Sequence, residues 1–250
     1  MGKVGITSVT CEICGDRGII ILNNETAVPC NCVKKDRHVS LPRNLINCSF
    51  ERFQFRYYNK NFTDPETGLT SYALAKIAHK AAKNFIERFL KDPRTDGLLF
   101  TGKVGSGKTF LACSIANELI NKHGCLVLFV EVPDLLDRIR STYGPGGGPE
   151  QTTEYQLLDT ARQVPLLVFD DLGAHNYTEW TRNKIYSIIN YRLNERLPVI
   201  VTTNIKLDEI AEYLGERTTS RLLEMCSPYR MTVDIDIRAV QRKEKDRRDY

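Results

Sequence analysis

Residues 98–112, LLFTGKVGSGKTFLA, constrain this chain more than any other stretch. An apolar run breaks at Gly102, Gly105 and Gly107, continues at once into Lys108 and Thr109, and then turns apolar again. That order reads as a buried strand, a tight turn and the start of a helix. In this context G-x-x-x-x-G-K-T builds a phosphate cradle. Glycines let the backbone curl until successive N–H groups point inward, and the helix start adds partial positive charge. Lys108 then reaches the terminal phosphates, and the Thr109 hydroxyl is placed to hold Mg²⁺. The competing reading is a strand-to-helix turn with an incidental lysine. The complete motif between a strand and a helix favours a nucleotide site.

The surrounding pattern predicts an α/β fold. GLLFT, CLVLFV, PLLVF and PVIVTTN are continuous apolar runs. Helical segments alternate with them: 108–123, Pro133 to about Arg140, 152–163 and EWTRNKIYSIINYRLNER. Strands buried on both faces and separated by helices imply a parallel sheet covered on each side. Residues 71–91 carry apolar positions at helical spacing and predict an amphipathic helix ahead of the first of these strands. YGPGGGP at 143–149 reads as a loop, and the chain closes on a charged tail, RKEKDRRDY.

A phosphate cradle does not define a reaction, because hydrolysis also needs a carboxylate on the metal and a group that orients water. PLLVFDDLGAH supplies two acids at a strand end. Asp170 suits Mg²⁺ and Asp171 is placed to polarise an attacking water, although an Asp pair can also simply cap a strand in a turn. The next run, PVIVTTN, ends at Asn204, which is able to hydrogen-bond both the γ-phosphate and the water.

Hydrophobic residues make up 42% and charged residues 26% of the chain, which excludes a disordered or membrane-embedded class. The net charge of +4 permits a nucleic-acid partner without demanding one. MGKVGITSVTCEIC lacks the apolar core of a signal peptide, and no run approaches the length of a membrane span, so a cytoplasmic location is expected. In that compartment cysteines serve as metal ligands or free thiols rather than disulfides.

Cys11, Cys14, Cys30 and Cys32 crowd the N-terminus as CEIC and PCNC around a hairpin-like IIILNNETAVP. Four thiolates at this spacing suit tetrahedral zinc, and metal would supply most of the stability of so small a fold. The alternatives are a redox-active C-x-x-C and four unpaired thiols, and His38 could replace Cys32 as a ligand. Cys48, Cys113, Cys125 and Cys226 are isolated and read as buried apolar fillers. The expected organisation is a zinc-binding module at 1–40, a connector at 41–70 and an ATPase domain at 71–250. Within the connector, SFERFQFRYYNK mixes cations and aromatics that could stack on single-stranded DNA.

Taken together, TGKVGSGKT, PDLLDRIRSTY, LLVFDDLGAH, TEWTRNKIYSIINYRLNERLPVIVTTN and GERTTSRLLEMC resemble the DnaC/DnaI/IstB group of AAA+ ATPases, and within it the helicase loaders. The resemblance covers about residues 40–240. It implies an AAA+ P-loop domain with a reduced C-terminal lid. The implied function is ATP-dependent loading of a replicative helicase hexamer onto single-stranded DNA, with Mg²⁺-ATP as cofactor. Lys108 and Thr109 match Walker A, together with Gly102, Gly105, Ser106, Gly107 and the following Phe110. Asp170 and Asp171 match Walker B, and Asn204 matches sensor 1. Arg221 matches an arginine finger acting in trans through self-association, and Arg238 stands where sensor 2 is expected.

From pattern alone, Arg217 and Arg221 read as members of salt bridges along a helix. The resemblance also implies that the connector packs on the sheet and helps enclose adenine, which moves the expected DNA contact to the helices after Val127. Asp171 departs from the Glu usual in AAA+ proteins, and its shorter reach implies slow turnover. Phe110 and His175 also depart from the usual residues, away from the phosphate machinery. The rival functions are an IstB-type transposition helper and an adaptor that ATP switches without hydrolysis. A P-loop kinase is disfavoured by Asn204 and the distant arginines.

Overall fold

The computed structural model describes residues 19–22, 26–29, 46–142, 154–173 and 177–247, in a chain that divides into two compact units, Met1–Ser40 and Leu41–Tyr250. In the first, β1 (Ile19–Leu22) and β2 (Thr26–Pro29) form the expected antiparallel hairpin, with Ile19 opposite Pro29 and Leu22 opposite Thr26. Cys11, Cys14, Cys30, Cys32 and His38 lie outside the described residues, as does His175.

The second unit is built on a five-stranded parallel sheet. Its strands are β3 (Gly97–Thr101), β4 (Val127–Glu131), β5 (Leu166–Leu172), β6 (Val199–Thr203) and β7 (Cys226–Arg230), in the order β4-β5-β6-β3-β7. Strand side chains alternate between faces, and here both faces are dry. Leu98, Phe100, Leu166, Val168 and Ile200 join one core, whereas Leu99, Leu167, Phe169, Val199 and Val201 join the other. Two-sided burial is why these strands read as unbroken apolar runs.

The first core lies under α1 (Ser71–Lys91) and α2 (Lys108–His123). Thr70 caps α1 by accepting from the Ala73 N–H at 3.2 Å. Nearly every position of α2 from Leu111 to Leu119 is buried, and its small residues let it lie close to the sheet. The second core packs α3 (Val132–Ser141), α4 (Glu154–Gln163), α5 (Glu179–Asn194), α6 (Ile210–Leu214) and α7 (Glu216–Met225). A last helix, α8 (Ile237–Asp246), follows β7.

Residues 46–70 pack with the larger unit. Phe50, Phe53 and Tyr58 are buried in the first core, and the Asn117 side-chain amide donates to the Cys48 carbonyl at 2.9 Å. Asp64, fully buried, accepts from Arg230 at 2.8 Å and so ties this segment to β7. Two expectations need correction. Cys125 is half-buried beside a helix end rather than a core filler, unlike Cys48, Cys113 and Cys226. The charged tail is helical as far as Asp246, and α8 is held at its first turn by Asp236 and near its far end by Glu244, which accepts from Arg56 and Tyr57.

Arg192 on α5 is completely buried, and its guanidinium donates to the carbonyls of Ala161, Arg162, Val164, Pro165 and Pro198. It therefore joins the end of α4 to the starts of β5 and β6. Replacing it removes the donor these carbonyls share, and each acceptor left without a partner costs about 1–3 kcal/mol. We expect Arg192→Leu to lower the unfolding free energy by about 3 kcal/mol or more, read as a fall in the urea midpoint. An unchanged midpoint would contradict this role.

Candidate nucleotide-binding site

The strand order places the ends of β5, β6 and β3 side by side, and the sequence motifs sit on those ends. The turn after β3 curls through Gly102 (φ 128°), Gly105 (φ 71°) and Gly107 (φ 90°) into α2. A Cβ on Gly102 would lie 1.8 Å from the Met231 carbonyl, and one on Gly105 would lie 2.0 Å from the Asp236 carboxylate. Side chains are thus excluded by both conformation and space. The Tyr58 hydroxyl donates to the Ser106 carbonyl at 2.8 Å and braces the turn from the connector. The Ser106 hydroxyl is buried and has no hydrogen-bond partner among the described residues.

Lys108, almost fully buried, donates to the carbonyls of Gly102 and Lys103 at 2.8 Å and to Asn204 Oδ1 at 2.7 Å. The Asn204 amide donates in turn to Asp171 Oδ1 at 3.0 Å. Asp170 Oδ1 accepts from the Thr109 hydroxyl at 2.9 Å and the Thr202 hydroxyl at 2.6 Å. Burial pulls the Lys108 ammonium down to about 8, against the pull of Asp171 and Asp170. Burial likewise raises the Asp170 carboxyl, opposed by the two hydroxyls. Glu131, opposite Asp170 on β4, is raised by burial and by Asp134.

The Thr202 hydroxyl also accepts from the Asp171 N–H at 3.0 Å, and through it the five residues expected to act together, Lys108, Thr109, Asp170, Asp171 and Asn204, are joined in one hydrogen-bonded group. Phe110 is partly buried against the first core, with its ring 5.9 Å from that of Phe53. Arg238 opens α8, where the Ile237 N–H donates to the Gly105 carbonyl at 3.2 Å, and its charge is felt at Lys108. Arg221 on α7 stands apart from this group. Its guanidinium lies over the Tyr186 ring and donates to Asn190 Oδ1 at 2.8 Å and to the Arg217 carbonyl at 3.1 Å. The expected side-chain ion pairing along that helix is replaced by these contacts.

Beside the cradle, a cavity of about 700 Å³ opens between the connector and the start of α8, lined by Phe55, Tyr57, Tyr58, Tyr72, Asn59 and Ile235 among others. Its aromatic faces suit a flat heterocycle, and Asn59, Asn61, Arg56, Lys60 and Asp234 add polar and charged groups around them. The donor set fits a magnesium nucleotide as well. It offers a buried ammonium, inward-curling glycines, an unpartnered buried hydroxyl, and a hydroxyl–carboxylate pair of hard oxygens.

The family model described as IstB-like ATP binding protein matches residues 55–246. The chain belongs to that family. This ATP-binding family member is 31% identical over 176 residues to the replicative helicase loader DnaC of Escherichia coli K12, a match covering 70% of this chain and 63% of that protein. It is 28% identical to the replicative helicase loader DnaI of Bacillus subtilis, covering 63% of this chain and 52% of the relative. The chain thus spans less than two thirds of the length of these relatives. The crystal structure of the DnaC helicase loader superposes with a TM-score of 0.60 at 26% identity, over 76% of this chain and 99% of that one.

Several site residues of this family member escaped the sequence reading. Thr202, Met231 and Asp236 reach the site only through the fold, and Tyr58, expected with its connector to help enclose adenine, also braces the cradle at Ser106. Glu131 carried a faint signal, as the acid ending the run CLVLFVE. The titration of Lys108 has a definite sign. Between pH 8 and 10.5 the folded chain loses a proton that the unfolded chain keeps. Stability from this group therefore rises across the window, while the charge that attracts phosphate disappears. We expect the dissociation constant for ATP to climb by up to about tenfold per pH unit above pH 8, measured with a fluorescent nucleotide. The same titration with Lys108→Arg should stay flat, and a flat wild-type profile would contradict the assignment.

Proposed function

We propose that this chain is an ATP-hydrolysing loader that places a replicative helicase hexamer on single-stranded DNA in the cytoplasm. The observation that carries the reading is the joined group of Lys108, Thr109, Asp170, Asp171 and Asn204. The similarity to DnaC and DnaI supports the choice of partner.

In this account the backbone of the cradle, with Gly102, Gly105, Ser106 and Gly107, receives the phosphates, and Lys108 turns its ammonium to the terminal ones. The aromatic cavity beside Tyr58 holds the base, and Phe110 backs it. Thr109 and Asp170 would hold Mg²⁺, which offsets charge on the phosphate oxygens. Asp171 takes the proton of the attacking water, and Asn204 orients that water. Arg238 senses the phosphates from α8. Arg221 serves a neighbouring copy, a role supported by its contacts with Tyr186 and Asn190 rather than with its own cradle. Cys11, Cys14, Cys30 and Cys32 hold zinc in a module that docks on the helicase, and the helices after Val127 meet DNA.

We expect DNA-stimulated phosphate release that Lys108→Ala abolishes by loss of nucleotide binding. Arg221→Ala should bind nucleotide normally yet lose about 10³-fold in turnover, and a mixture of the two inactive variants should regain activity. A mixture that stays inactive would remove the role in trans. Native mass spectrometry with the purified helicase hexamer, with and without ATP, tests the loading step. A defined complex carrying zinc is expected, and its absence would contradict loading. The rival, an IstB-type transposition helper, rests on the family description and would show a transposase complex instead. A chain that binds but never hydrolyses ATP would be a switched adaptor.

A further inference from the structure

In a regular strand Asp170 and Asp171 would point to opposite faces of the sheet, because side chains alternate. The nucleotide reading needs both acids at one end of β5, and the structure contains a device that brings them there. Phe169 stands opposite Val201, and Leu172 stands opposite Thr203. Two residues of β5, Asp170 and Asp171, therefore oppose the single residue Thr202 of β6. This is a bulge, and it bends and re-aims the strand. Asp171 takes the left-handed conformation (φ 56°), rare for a residue with a side chain. Such a conformation persists only where its surroundings hold it.

The Asn204 amide holds the Asp171 carboxylate, and one hydroxyl holds the backbone of the bulge. Thr202 is buried, and its Oγ1 accepts from the Asp171 N–H at 3.0 Å while donating to Asp170 Oδ1 at 2.6 Å. The bulge takes the Asp171 N–H out of the backbone ladder, and Thr202 gives that part-buried donor a partner. The same hydroxyl fixes the Asp170 carboxylate by one oxygen. Thr109 donates to that same oxygen, so the other remains available to a cation. Both acid charges then act on Lys108.

We propose that Thr202 is the positioning residue of this site: its hydroxyl locks the β5 bulge and thereby aims Asp170 at the metal and Asp171 at the water. The proposal rests on the nucleotide reading above. It acts through the two acids and requires no contact between Thr202 and nucleotide.

The test compares the full-length wild type with Thr202→Val, which keeps the branched shape, and Thr202→Ser, which keeps the hydroxyl. Free Mn²⁺ is titrated by electron paramagnetic resonance in the presence of a non-hydrolysable ATP analogue, alongside analogue binding without metal, kcat and KM. Thr202→Val should weaken Mn²⁺ binding by about tenfold or more and lower kcat with little change in KM. Binding of the analogue without metal should hold, and Thr202→Ser should restore Mn²⁺ affinity. Should the valine variant fail to fold, Thr202→Cys provides a weak donor of similar size and is expected to show the same loss. Wild-type Mn²⁺ affinity in a folded valine or cysteine variant overturns the proposal. A wild type that binds Mn²⁺ with the analogue yet releases no phosphate from ATP ends the hydrolysis reading, while the Mn²⁺ comparison still decides the role of Thr202.

Discussion

The site depends on β6 lying between β3 and β5. Had the strands paired in chain order, β4 would lie between the cradle and the acids, and Asn204 would sit on the far side of β5 from Lys108. With β6 interposed, the three strand ends place Lys108, Asn204 and the Asp170–Asp171 pair within hydrogen-bonding reach of one another. Parallel pairing brings every strand end to the same side, and there α/β sheets bind their ligands. Arg192 supports this arrangement from the opposite end by satisfying carbonyls at the starts of both β5 and β6.

Burial sets the chemistry. The ammonium of Lys108 and the carboxylate of Asp170 are buried at the strand end beside the part-exposed Asp171, so each buried charge is costly unless paired. Lys108 is satisfied by two backbone carbonyls and Asn204, and Asp170 by two hydroxyls. Charges held this way act strongly on an incoming phosphate because little water screens them. The same turn is braced by Tyr58 from the connector and touched at Gly105 by α8. α8 is held at its far end by Glu244, which accepts from Arg56 and from Tyr57. The cradle, connector and last helix therefore form one contiguous hydrogen-bonded assembly, and the aromatic cavity lies between its parts.

Much of this was legible because the chemistry is local in sequence. The cradle lies within nine consecutive residues, and apolar runs that end in acids or Asn announce strand ends. The continuous apolar strands revealed a parallel sheet because both faces are buried. β7 escaped notice because CSPYR is polar, contains a proline and is only partly buried at the sheet edge. α8 passed for a tail because none of its residues is buried. Thr202 read as an ordinary strand residue, since its role depends on a bulge in the neighbouring strand. Tyr58 was visible as an aromatic, but its bond to Ser106 spans 48 positions that only the fold closes.

The most direct test of this account is a crystal structure of the chain with magnesium and a non-hydrolysable ATP analogue. The account predicts the triphosphate against the backbone N–H groups that follow Gly102, with the Lys108 ammonium moved from Asn204 to the terminal phosphates. It also predicts the metal between Thr109 and Asp170, and the base in the cavity beside Tyr58. A nucleotide bound elsewhere, or a cradle too narrow to admit phosphate, would contradict it.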